Sequence, residues 1–306
     1  MKGGVFMSIF SVIFRVLCHL ADITKERKKR VSKEIIFLED IVYGPNKNIN
    51  VLDIYLPKNY IGKIPVFLSV HGGGWVYGDR SVSHPYCQYV CERGFAVINF
   101  SYHLAPKYHF PKPIEDLNYV VKFILENKDV YNLDVNHVFL VGESAGAHIA
   151  MMYANICTNK EYAKEFDFKV PEGFKPKAIV SNCGALNAKL AFKKHDLISW
   201  FMKNLLCDFY GKKKLSDEEI KRMDPMANIT EEFPFAILTT GKGDILNRHS
   251  KTLDMKLSLM KKKYSFREFG KTISKSGHVF HLNIKNKYAK LCNDFETSYL
   301  KQLVEA

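Results

Sequence analysis

The 306-residue chain carries 45 Lys and Arg against 32 Asp and Glu, a formal charge of +13, with 47% hydrophobic and 25% charged residues. That balance excludes a disordered chain and supplies enough apolar mass for one large core, as α/β proteins of this length build around a single sheet. The charge suits anionic partners, but Lys25 to Arg30, Lys212 to Lys214 and Lys261 to Lys263 are short, separated runs with no interleaved aromatic residues on which bases could stack, so nucleic acid is not expected.

From Gly4 to Ala21 the chain is apolar, with Lys2 before it and the first basic run after it. Ser8, Ser11, Arg15 and His19 recur at helical spacing opposite Phe6, Ile9, Phe10, Ile13, Val16, Leu17 and Leu20. That stripe describes an amphipathic helix rather than an unbroken membrane span. No small-x-small cleavage pattern ends at Ala21, because His19 stands two positions earlier. Residues 1–34 are therefore expected to form a helical cap segment over the protein's own pocket. A helix lying in a membrane surface is the first alternative, and a cleaved or spanning segment the second.

Beyond residue 34, short β-branched and aromatic runs alternate with helical periodicity, the order of a mostly parallel sheet covered on both faces. Eight strands are expected: Ile35 to Tyr43, Val51 to Leu56, Pro65 to Val70, Phe95 to Tyr102, His137 to Val141, Ala178 to Asn182, Phe235 to Thr240 and Tyr264 to Phe269. Helices are expected over Pro113 to Asn127, Ala145 to Ile156, His249 to Lys262 and Lys287 to Leu303. Residues 186–230 break this rhythm and read as a helical cap inserted into a single domain spanning 35–306. The seven cysteines form no C-x-x-C pair and leave one unpaired in any disulfide scheme, which fits a reducing, cytoplasmic compartment; no Cys/His cluster has the spacing of a metal site.

Two motifs carry chemistry. The run from His137 to Ala150 reads strand, Gly142-Glu-Ser-Ala-Gly146, helix. A serine on so sharp a turn needs glycine on both sides, and the helix that follows aims its N-terminus at developing negative charge. Earlier, the strand ending at Val70 empties into His71-Gly-Gly-Gly-Trp75, whose glycines leave backbone N–H groups unobstructed. The pairing of such a loop with a Gly-x-Ser-x-Gly turn is a known arrangement for acyl transfer, in which fixed donors hold an oxyanion. Gly72, Gly73 and Ala145 are the expected donors. The acid and base should follow later strands in that order: Asp244 ends the loop after Phe235 to Thr240, and His278 lies in the loop before the last helix. His281 is expected to begin that helix and His249 to lie along the preceding one. Glu143 reads as a structural hydrogen-bonding residue, Asp224 as a turn former, and His71 and His148 as scaffold.

These residues resemble the α/β-hydrolases of the hormone-sensitive-lipase and bacterial carboxylesterase type. The likeness extends to Val51-Leu-Asp-Ile-Tyr-Leu-Pro57, to Ser101-Tyr-His-Leu-Ala-Pro106 with Phe110-Pro111 and Asp116, and to Asp224-Pro225 and Asp244-Ile-Leu, over roughly residues 35–303. His103 stands where the family commonly has Arg, and Glu143 where it often has Asp. The elbow is also similar to that of kynurenine formamidases, and Asp53 to Pro57 to a feruloyl or acetyl-xylan esterase branch. The resemblance implies an α/β-hydrolase fold and a carboxylesterase that acts without a cofactor on small or medium acyl esters. On this reading Ser144, Asp244 and His278 are the catalytic residues, and Trp75 and Tyr77 are candidate pocket walls together with Trp200, Phe201 and Phe209 of the cap. The rival readings are an aryl-formamidase or amidase, an interfacial lipase and a non-catalytic binding module.

Overall fold

The computed structural model describes residues 8–23, 31–193, 196–271 and 275–305; Lys2, Phe6 and the run from Lys25 to Arg30 lie outside them. In chain order the elements are α1 (Ile9–Ile23), β1 (Ile35–Val42), β2 (Val51–Pro57), β3 (Ile64–Val70), α2 (His84–Cys91), β4 (Ala96–Phe100), α3 (Lys112–Glu126), β5 (Leu133–Glu143), α4 (Ala145–Thr158) and α5 (Lys160–Ala163). The second half holds β6 (Ala178–Asn182), α6 (Ala188–Lys193), α7 (Leu197–Tyr210), α8 (Asp217–Met223), β7 (Phe235–Gly241), α9 (Asn247–Leu259), β8 (Tyr264–Phe269) and α10 (Lys287–Glu305).

Eight strands form one sheet in the order β1-β2-β4-β3-β5-β6-β7-β8. The pairs β1–β2 and β2–β4 are antiparallel and every other pair is parallel, so the expected mostly parallel sheet is the one found. The period-two alternation of side chains divides each central strand between two cores. Val66, Leu68 and Val70 of β3 join Leu140 and residues of α3, α4 and α9 on one face. On the other, Phe67 meets Phe139, Val180, residues of α2 and Leu300 of α10. Covered on both faces, β3, β4 and β6 are buried at every position, which is why they read as continuous apolar runs.

Among the described residues, three α-helices, α6 to α8, stand between β6 and β7. Asp196 caps α7 by accepting from the Ser199 N–H at 2.9 Å, and Gly211 ends it in the left-handed conformation at φ 85°. The Asp196 carboxylate also holds Arg248 of α9 through two bonds of 2.7 and 2.8 Å. Asp224, at the return to the sheet, accepts from the N–H groups of Met226 at 2.9 Å and Lys189 at 3.0 Å.

Helix α1 packs on α7. Phe10 meets Trp200 edge-on at 4.5 Å and Phe201 at 5.9 Å, and Phe14 lies 6.0 Å from Phe201. The backbone N–H of Ser8 and the hydroxyls of Ser8 and Ser11 donate to the Asp208 carboxylate of α7. The two serines of the polar side therefore face inward, while Arg15, His19 and most of the apolar stripe are exposed.

Candidate active site

The elbow geometry follows from the side chains that are missing. Ser144 sits at φ 53° and ψ −119°, a strained conformation for a residue with a Cβ. A Cβ on Gly142 would come within 2.5 Å of the Ala147 nitrogen, and one on Gly146 would overlap the Val70 carbonyl. Only glycine at both positions lets β5 turn into α4 this tightly. The turn is pinned from β6, where the Ser144 N–H donates to the Asn182 carbonyl at 3.1 Å and the Ala185 N–H donates to the Ser144 carbonyl at 3.0 Å.

Adjacent strand ends bring in the partners. A parallel bridge between Gly243 and Gly277 joins the loop after β7 to the loop after β8. Asp244 Oδ1 lies 2.7 Å from His278 Nδ1, and His278 Nε2 lies 2.9 Å from Ser144 Oγ. Asp244 also accepts from the Leu246 N–H at 2.9 Å and the Thr240 hydroxyl at 2.8 Å. Burial alone would push this carboxyl up, but the hydrogen bond and charge of His278, with the two further donors, hold it below its ordinary value. An ionised Asp244 only accepts. The Nδ1 proton therefore belongs to His278, and its Nε2 lone pair faces the serine hydroxyl.

The donor set differs from expectation at one position. The Gly72 N–H donates to Glu143 Oε1 at 2.7 Å, so it is not free to meet an oxyanion. Gly73, Gly74 and Ala145 have no acceptor for their N–H groups among the described residues. The open N–H groups of the loop are thus those of Gly73 and Gly74, where Gly72 and Gly73 were expected. The loop is braced to present these donors: His71 Nδ1 donates to the Gly72 carbonyl at 2.7 Å, and the Tyr102 hydroxyl donates to the His71 carbonyl at 2.8 Å. Gly73 and Gly74 stand at φ 114° and 59°. A Cβ on Gly73 would overlap the Tyr77 carbonyl, and one on Gly74 would come within 2.9 Å of Phe14. Helix α1 thus presses an aromatic ring against the donor loop.

Trp75 is corrected from pocket wall to core. It is 1% exposed, stacks on Phe209 at 5.4 Å and meets His148 edge-on at 5.2 Å. Phe209 is fully buried with it, whereas Tyr77 and Phe201 are half-buried and Trp200 faces outward. His281 does not begin the last helix. It lies in a 3-10 turn, Phe280–Leu282, ahead of α10, and neither ring nitrogen has a partner among the described residues. His249 lies in α9 and accepts from the Asn187 N–H at 3.0 Å. Cys183 places its sulfur with Asp244 and His278 so that one ligand atom from each lies within 4.8 Å of the others. The carboxylate and imidazole already bond each other, and burial pushes the thiol well up, which disfavours the thiolate a metal needs.

Behind the elbow lies a buried polar network. The Tyr86 hydroxyl donates to Glu296 at 2.8 Å, Asn182 Nδ2 donates to Glu296 at 3.2 Å, and Asn182 Oδ1 accepts from Thr239. Burial pushes Glu143 up to about 8 and Glu296 up to about 7.

A mostly parallel eight-stranded sheet that turns through a strained serine into a helix, with an acid and a histidine on the loops after the last two strands, defines an α/β-hydrolase. The chain belongs to the BD-FAE family, whose model matches residues 52–259. It is 34% identical over 103 residues to a versiconal hemiacetal acetate esterase of Dothistroma septosporum, a match covering 33% of this chain and 31% of that one. To an isoprenylcysteine alpha-carbonyl methylesterase of Arabidopsis thaliana it is 34% identical over 110 residues, covering 36% and 26%. The matched stretch thus spans about a third or less of these curated relatives. Esterase B from Lactobacillus rhamnosis superposes with a TM-score of 0.85 at 20% identity, over 97% of this chain and 95% of that one, and has also been solved inhibited by a C4-C4 SN3 tributyrin phosphonate.

Proposed function

We propose that the protein is a serine carboxylic ester hydrolase that works through an acyl-enzyme on small or medium acyl esters. The observation that carries this reading is the line from Asp244 through His278 to Ser144, beside the open N–H groups of Gly73, Gly74 and Ala145. The Ser144 oxygen attacks the ester carbonyl while His278 Nε2 takes its proton. The carbonyl oxygen becomes an oxyanion held by the three N–H groups, and Asp244 steadies the imidazolium. Collapse of the tetrahedral species breaks the carbonyl–alkoxy bond, and His278 returns the proton to the departing alcohol. Water, deprotonated by the same imidazole, then releases the acid and restores the hydroxyl. The acetate esterase and methylesterase names of the two relatives support an ester substrate. The nearness of Phe14 to the donor loop supports an acyl group of limited size.

The test is a panel of p-nitrophenyl esters of increasing chain length with wild type and Ser144→Ala. Turnover should be greatest on short chains and fall at least about 10⁴-fold in the variant. Wild-type rates in Ser144→Ala would overturn the nucleophile. Faster cleavage of N-formylkynurenine than of any ester would move the activity to the formamidase class. Failure of Ser144 to take a fluorophosphonate label would leave a binding module.

A further inference from the structure

Of the residues from Ile9 to Leu20, those that point away from the body are mostly apolar. Ile9, Val12, Ile13, Val16 and Leu20 fall on one side of α1, between 40% and 67% exposed. The opposite side holds Phe10, Ser11 and Phe14, the residues that dock on α7. An outward stripe of this kind on a soluble surface calls for an occupant. It continues onto α7, where Leu197 is 75% exposed and Trp200 48%.

Charge identifies that occupant. No acidic residue lies between Ser8 and Leu20, and Arg15 and His19 border the stripe. Lys193 and Lys203 stand exposed around the α7 end of the patch. Across the first 30 residues the chain has seven Lys and Arg against two Asp and Glu, within a net charge of +13. An apolar stripe edged by cations, on a helix lying flat against a folded body, matches an anionic lipid surface: acyl chains take the stripe and headgroups take the charges. A Trp at the border of such a patch suits the interfacial zone. Among the described residues no helix is long and apolar enough to cross a membrane.

We infer that the outward face of α1, with Leu197 and Trp200 of α7, is a docking surface for anionic membranes. Through Phe14 the same helix touches the Gly74 loop, so docking would set the mouth of the site at the lipid boundary. The inference does not rest on ester hydrolysis.

The test uses the full chain with phosphatidylcholine vesicles, alone and mixed with phosphatidylserine. Wild type should co-sediment with the mixed vesicles and lose that binding as salt is raised. The triple variant Val12→Asp, Val16→Asp, Leu20→Asp should bind at least about tenfold more weakly, with unchanged turnover of a soluble p-nitrophenyl ester. A readout without mutation is available because the chain has two tryptophans and Trp75 is buried: brominated lipid should quench the emission of Trp200. Wild type that stays in the supernatant, a triple variant that binds equally well, or Trp200 emission indifferent to brominated lipid would each overturn the inference. So would a wild-type dimer in sedimentation equilibrium that the variant abolishes while vesicle binding is absent, which would make a second copy the occupant.

Discussion

Glu143 precedes Ser144, yet its carboxyl reaches back to the other glycine motif and takes the Gly72 N–H at 2.7 Å. Because burial raises this carboxyl to about 8, the neutral acid is the form present near neutrality, and an amide can imitate it. Glu143→Gln should keep kcat within a few-fold. Glu143→Leu leaves the Gly72 N–H unpaired, frees the donor loop to shift and should lower kcat about 10²-fold with little change in KM, read from steady-state kinetics on a p-nitrophenyl ester. This contact also shows where sequence reading stops. Three consecutive glycines announce free N–H groups, but which of them are free depends on an acceptor 71 residues further on. Ser144, Asp244 and His278 were legible because each follows its own strand and the order of strands could be read. The burial of Trp75 was not, since its partners Phe209 and His148 come from distant elements.

At the scale of elements, the strands declared themselves through β-branched and aromatic runs, and the structure moves their ends by no more than four residues. Helix α2 escaped notice because its eight residues, His84-Pro-Tyr-Cys-Gln-Tyr-Val-Cys91, carry little periodic contrast, and α5 is a single turn. Helix α1 was visible as a helix but not in its orientation, because periodicity separates two faces without saying which one meets protein. The decision falls to Asp208, a carboxylate on α7 with 7% exposure that draws Ser8 and Ser11 inward. Asp208→Ala removes the acceptor for these groups, and hydrogen bonds to a charged partner contribute about 1.5–3 kcal/mol each. The variant should lose α1 to limited proteolysis faster than wild type and melt a few degrees lower, while still hydrolysing a short soluble ester. Equal proteolysis of the two proteins would mean that the aromatic contacts of Phe10 and Phe14 hold the helix unaided.

Taken whole, the molecule buries histidines and carboxyls whose effects oppose each other in pH. Burial lowers His71, His148 and His249 to about 4 and His281 to about 3; each favours the folded state above the ordinary imidazole range, a contribution lost as pH falls through 6.5 towards 4. Glu143 and Glu296, raised to about 8 and about 7, work in reverse: their contribution is complete below about 4.5 and lost as pH climbs through 7 and 8. Four imidazoles outweigh these two carboxyls on the acid side, and between pH 6.5 and 8, below the ordinary thiol and phenol ranges, the carboxyls dominate, so Tm should peak at about pH 6.5. By pH 8 it should have fallen by roughly 5 °C, and Glu143→Gln should flatten that alkaline limb in a thermal melt followed by circular dichroism. The bond from Arg248 to Asp196 acts at the same scale, since it ties the start of α7 in the cap to α9, the helix that starts just beyond Asp244. Both partners are partly open to water, so the pair adds little to the fold and weakens in brine. Salinity then sets how firmly the front of α7 is held: in concentrated salt a protease should nick that stretch sooner, while the temperature of melting hardly changes.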